Sequence, residues 1–213
     1  MAKYVKPIVH IPINPLFILE GVKIRKEYKT FEIYEMFNAM DNNFLAKLSM
    51  EEKEKGNPYA ISSIENWAIL NAGARTGNEK LTKQFQHWLQ KWPQTLSRVQ
   101  YNPKGIEDKI IHNYLMDNQE ILTTLSFVGK DDWIKDIKDK SNLKLLTGSN
   151  NTTYLNETSQ KINDTYNYIF RLNEEPQEKD EKIVEFDVIS GCFILGACGD
   201  PSGMQPAFRV REI

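Results

Sequence analysis

Apolar residues change their spacing twice along the chain. The first 26 residues, YVKPIVHIPI and then FILEGVKI after the Asn14-Pro15 turn, read as β segments. Pro7 and Pro12 confine the first of them to a sheet edge or an irregular strand. From Thr30, a plausible N-cap, Phe31, Tyr34, Phe37, Phe44, Leu45 and Leu48 recur at three- and four-residue spacing, which predicts an amphipathic helix. EEKEKGNP at 51–58 is its solvated end. A second helix starts at Ser62, with Glu65 at the capping-box spacing, and stops near Gly73. A third spans 78–91, where Pro93 forbids continuation. A fourth is expected over 105–126 on a stripe that includes Ile106, Ile110, Tyr114, Ile121 and Leu125. A short fifth carries Trp133 and Ile137, and a sixth covers 157–172. The period then returns to two in IVEFDV (183–188), which 189–191 joins as a hairpin to the buried-strand run CFILGAC (192–198). GDPSGMQP is a turn cluster and FRVREI a last strand.

These elements predict an α+β fold: a mainly helical centre, about 30–172, flanked by β segments 1–26 and 183–213. The flanking segments would pair into one small antiparallel sheet with the helices on one face. No repeat or linker divides the chain, so 1–213 reads as one domain.

At 213 residues, 40% hydrophobic and 26% charged, the composition excludes wholesale disorder and disulfide scaffolds. The N-terminal apolar stretch is broken by prolines and polar residues, and no window approaches the ~20 apolar residues of a membrane span. The expectation is a cytoplasmic protein with no membrane contact. Cys192 and Cys198, on one strand, would lie about 20 Å apart, too far for a disulfide, so both read as reduced, buried thiols. The N-x-[ST] matches at Asn150, Asn151, Asn156 and Asn163 are what an Asn-rich chain produces by chance.

The net charge of −2 hides an uneven distribution. Residues 1–104 hold 15 Lys/Arg against 10 Asp/Glu, while 105–190 hold 10 against 17. The positive part concentrates around the third helix. Leu81, Phe85, Trp88, Leu89 and Trp92 form its apolar face, and Lys80, Gln84, His87 and Lys91 a stripe beside it. Lys83 borders the stripe, with Arg75, Arg98 and Lys104 just outside the helix. Such a surface could hold phosphates or an acidic partner. The same pattern also describes a solvated helix face over packed aromatics.

Other chemistry is thin. His10, His87 and His112 show no metal-ligand spacing, and His112 reads as a surface or helix-packing histidine. Glu185 and Asp187 lie two apart on one strand face, which reads as a polar outer face opposite Val184, Phe186 and Val188. GACGDPSG at 196–203 matches neither phosphate-binding glycine pattern and reads as a connector.

The sequence therefore points to a non-enzymatic binding or assembly protein acting through surface contacts, of phage or mobile-element type. Its candidate contacts are Arg75, Lys80, Lys83, His87, Lys91, Arg98 and Lys104. A protein partner or self-assembly is expected first and nucleic acid second, with no cofactor, metal or catalytic residue. The competing expectation is a small hydrolase or transferase with a site near the 199–203 loop, built on Asp187, Asp200 and Ser202.

Overall fold

The computed structural model describes residues 5–10, 14–137, 140–189 and 191–213; Pro12 and Ser190 lie outside the described residues. In chain order the elements are β1 (Ile8–His10), β2 (Phe17–Ile24), β3 (Glu27–Met40), α1 (Asn42–Glu54), α2 (Ser63–Thr76), α3 (Glu79–Leu89), β4 (Gln94–Tyr101), β5 (Asp108–His112) and β6 (Glu120–Thr124). There follow β7 (Asp132–Trp133), a 3-10 turn (Ile134–Asp136), α4 (Ser141–Thr147), α5 (Thr152–Asn163), β8 (Tyr166–Phe170), β9 (Asp180–Ile189), β10 (Cys192–Gly199) and β11 (Gln205–Glu212). The eleven strands form one mixed sheet in the order β1-β2-β3-β11-β4-β9-β10-β8-β7, and β5 and β6 branch from β4 as a hairpin. Most pairs are antiparallel; β8–β10 and β4–β11 are parallel.

This architecture overturns the helical centre with a small sheet. Strands β4–β8 lie wholly within 30–172, and β3 enters that span. The terminal β segments do pair, since β11 lies against β3, but they belong to a sheet that runs through the whole chain. The expected helix from Thr30 is strand β3 up to Met40, and α1 begins only after Asp41, whose side chain accepts from the Phe44 N–H.

The physical reason for the misleading spacing is a pair of bulges. Ala207 and Arg209 of β11 face Phe37 and Tyr34, and Gln205 faces Met40, so three β3 residues twice stand opposite two of β11. Each bulge inserts an extra residue, which puts Tyr34, Phe37 and Met40 at a helix-like interval along a strand. A related shift in β2, between Leu19 and Val22, contains Gly21 at φ 72°, where Pro7 crosses closely.

The expected helix 105–126 is the β5–β6 hairpin, and the expected helix 157–172 splits into α5, ended by Asp164 in the left-handed region, and β8. The short fifth helix is reduced to β7 and the 3-10 turn. Other elements match their signals. Ser62 and Glu65 form the capping box of α2, Asn78 caps α3, and β9 pairs antiparallel with β10. Helix α2 continues through Gly73 to Gly77. A Cβ at Gly73 would collide with the Phe85 ring, so this glycine lets α2 and α3 pack closely rather than ending the helix.

The helices α2 and α3 cover one face of the sheet with aromatic rings. Trp67 packs on Phe186 and Phe193, and Phe85 and Trp88 pack on Phe208. Because strand side chains alternate, Phe186 facing α2 turns Glu185 and Asp187 to the opposite face.

Candidate functional site

Helix α2 presents Trp67, Asn71 and Arg75 at four-residue intervals, so they form one stripe. Helix α5 answers with Tyr154, Thr158 and Lys161. The two stripes are tied at the middle: the Asn71 amide donates to the Thr158 hydroxyl, and the Tyr154 hydroxyl donates to Asn71 Oδ1 at 2.7 Å. Three surface depressions along this seam reach Arg75.

Towards α3 the seam opens into a groove of about 510 Å³, whose lining includes Lys6, Arg75, Lys83 and Lys161. Glu79 is its one acidic residue among the described residues. Lys6, Lys83 and Lys161 are exposed and make no ion pair among the described residues. The lining of α3 is its Glu79, Thr82, Lys83 and Gln86 stripe, spaced i, i+3, i+4 and i+7. The adjoining stripe of Lys80, His87 and Lys91 is also exposed. Towards β2 the seam opens into a second cleft of about 350 Å³, between α2, the α4–α5 loop and the turn after β2.

Of the sequence-predicted contacts, Arg75 and Lys83 thus share a groove, and Lys80, His87 and Lys91 flank it. Arg98 does not belong to this surface. It is 3% exposed on β4, where its Nε donates to Asn42 and its Nη2 to Asn43, its Nη1 meets Glu181 at 3.4 Å, and its guanidinium lies over Tyr114. A guanidinium among that many partners is a structural group. Lys104 sits in the turn after β4, away from the lining residues of the groove. Trp92 is not part of the buried face of α3; it lies beyond the helix in the left-handed region and is 45% exposed. Lys6 and Lys161 were missed because they are distant in sequence: the packing of α5 on α2 brings in Lys161, and the segment before β1, which crosses β2 at Gly21, brings in Lys6.

The alternative site does not assemble. Asp200 accepts from the backbone N–H and hydroxyl of Ser202, which keeps its carboxyl below the usual range, and both residues lie in an exposed turn. Asp187 is buried on β9. No histidine bonds to any of the three. His10 pairs with Glu20, and His87 is exposed on α3. His112 is a buried strand residue, not one on a helix. Its Nδ1 meets the Ser97 hydroxyl at 2.7 Å and its Nε2 the Leu145 carbonyl at 2.9 Å. Burial pulls its pKa down to about 4. Ser97 also accepts from the Ser63 N–H and is fully buried, so the Ser–His contact ties α2, β4, β5 and α4 together.

Glu185 and Asp187 form part of a covered polar layer instead of a solvated outer face. Gln205 donates to Glu185 at 2.6 Å, and Gln94 donates to the carbonyls of Met40 and Gln205 while accepting from Asn42. Desolvation raises the Glu185 carboxyl and pushes Asp187 up to about 6, with the Val188 N–H opposing the latter. The cysteines are free thiols, as expected, but Cys192 is half-buried and Cys198 exposed on its strand; desolvation of the sulfur pushes the Cys198 thiol up to about 11. Among the described residues no helix is long and apolar enough to cross a membrane.

Comparison with protein-family models, characterised proteins and solved structures finds no match to this chain.

Proposed function

We propose that this chain is a non-enzymatic binding protein that holds an acidic protein segment in the groove between α2, α3 and α5. The observation that carries this reading is the groove's lining among the described residues: Lys6, Arg75, Lys83 and Lys161 against the carboxylate of Glu79, in a chain whose net charge is −2. Three of these cations, Lys6, Lys83 and Lys161, make no ion pair among the described residues, so an incoming carboxylate displaces only water there. An acidic protein is favoured over single-stranded nucleic acid by the aromatics. Phe85 and Trp88 of α3 are sealed in the core, which leaves the groove no ring from this helix for bases to stack on.

The test is fluorescence anisotropy with a labelled oligo-glutamate peptide and a labelled duplex DNA, titrated at increasing salt. Peptide binding that weakens with salt, and falls about tenfold in the Lys83→Glu, Lys161→Glu double variant, supports the reading. Binding of DNA alone would move the partner to nucleic acid. No binding of either at low salt would end the proposal.

A further inference from the structure

The second cleft, which shares Arg75 with the groove, has a different character. We propose that it binds a phosphate monoester carried on an apolar body. Its volume of about 350 Å³ falls within the range of small-molecule sites, roughly 300–1,000 Å³. The cations Lys23, Arg25 and Arg75 line it, and among the described residues no carboxylate does. Arg25 is held in place from outside the cleft by an ion pair with Glu120. The floor comes from α2, with Ile64, Trp67, Ala68 and Ala72. An apolar floor under a cationic rim selects a ligand with an apolar body and an anionic head.

Two further observations favour phosphate for that head. The rim includes Ser149 and Asn151, and Asn151 is the N-cap of the twelve-residue helix α5. The partial positive charge and unpaired N–H groups of a helix N-terminus suit a dianion with several acceptor oxygens. Independently, the indole Nε1 of Trp67, a residue 1% exposed that lines this cleft, has no hydrogen-bond partner among the described residues. Buried donors are rarely left unsatisfied; the indole nitrogen is closed off in this structure, and a small opening of the α2 floor on binding would bring it within reach of a ligand oxygen.

Isothermal titration and tryptophan fluorescence with three probes test this: adenosine monophosphate, dihexanoyl phosphatidate and inorganic phosphate. Saturable binding of either organic monoester, about tenfold tighter than inorganic phosphate, is expected. Binding of the nucleotide alone identifies a nucleotide-type ligand, and binding of the phosphatidate alone a lipid headgroup. Lys23→Glu and Ser149→Glu, both at the rim, should each weaken binding about tenfold, while Lys83→Glu in the neighbouring groove should leave it unchanged. That last variant separates this site from the acidic-segment groove. The proposal is overturned if neither organic monoester binds more tightly than inorganic phosphate. It is equally overturned if binding survives in a folded Lys23→Glu, Ser149→Glu variant, shown by an unchanged circular dichroism spectrum.

Discussion

On the side of α2 and α3 the sheet is filled by rings, with Trp67 against Phe186 and Phe193 and with Phe85 and Trp88 against Phe208. On the other side the same strands, β4 and β9, carry Gln94, Arg98, Glu185 and Asp187, which are buried almost as completely. The first face needs only shape and area, because dispersion and water release are non-directional. The second must satisfy each donor and acceptor in place, because a buried polar group left alone costs more than its bond contributes. It nearly succeeds. Arg98 and Gln94 are fully engaged, while Asp187 Oδ2 and Gln205 Oε1 have no partner. Tolerance to substitution should therefore differ between faces in kind as well as in size.

The largest effect is expected on the ring-filled face. Trp67→Ala should destabilise the protein by about 3–5 kcal/mol, read from urea unfolding, because the cavity under α2 cannot collapse around two phenylalanines. Arg98→Ala should cost about 3 kcal/mol by the same measurement, since it strands Asn42, Asn43 and Glu181 together. If Arg98→Ala costs under about 1 kcal/mol, the polar layer is solvated and the contrast between faces fails. Ser97, the next residue along β4, points to the helix side; Ser97→Ala should cost about 1–2 kcal/mol by removing the bonds to Ser63 and His112.

The faces also differ in sign with pH. Asp187 titrates near 6 in the folded protein, above its ordinary 3.8. Its contribution to stability is full below the lower value and is lost as pH rises through the upper one. His112 titrates near 4 against 6.5, so its contribution is present above 6.5 and lost as pH falls through 4. The two oppose each other between about pH 4 and 6.5. Asp187→Asn should make the melting temperature climb more steeply with pH across that window than in the parent, and His112→Gln less steeply. Parallel profiles for the two variants would show that neither group is held as described.

The helical elements that were legible in the sequence are those whose signals are local. The Ser62–Glu65 box, the apolar stripe of α3 from Leu81 to Leu89 and the Pro93 stop act within a few residues, and each matches the structure, with Trp92 the one stripe residue that falls outside it. The strands of the middle region were illegible because their apolar spacing is set by partners far along the chain. Tyr34, Phe37 and Met40 take a helical interval from bulges against β11, about 170 residues later. In 105–126 the supposed stripe is not even buried as a unit. Ile121 and Leu125 are 53% and 86% exposed, while the turn residues Asn113 and Leu115, both at positive φ, break the run. The candidate site was half legible. Lys83 and Arg75 stand out by charge, whereas Arg98 has the same charge and an inward place that only strand pairing reveals.

Strand β11 carries one more consequence. It lies between β3 and β4, and without it the β1–β2–β3 unit has no strand partner in the rest of the sheet. A chain emerging in order would expose the open edge of β3, and the start of β4 around Gln94 that β5 leaves uncovered, until residues 205–212 had been made. Formation of the whole sheet thus waits on contacts of very high sequence separation, which favours slow folding. During synthesis those two waiting edges are the places where a chaperone would be of use and where wrong pairing between neighbouring nascent chains would begin.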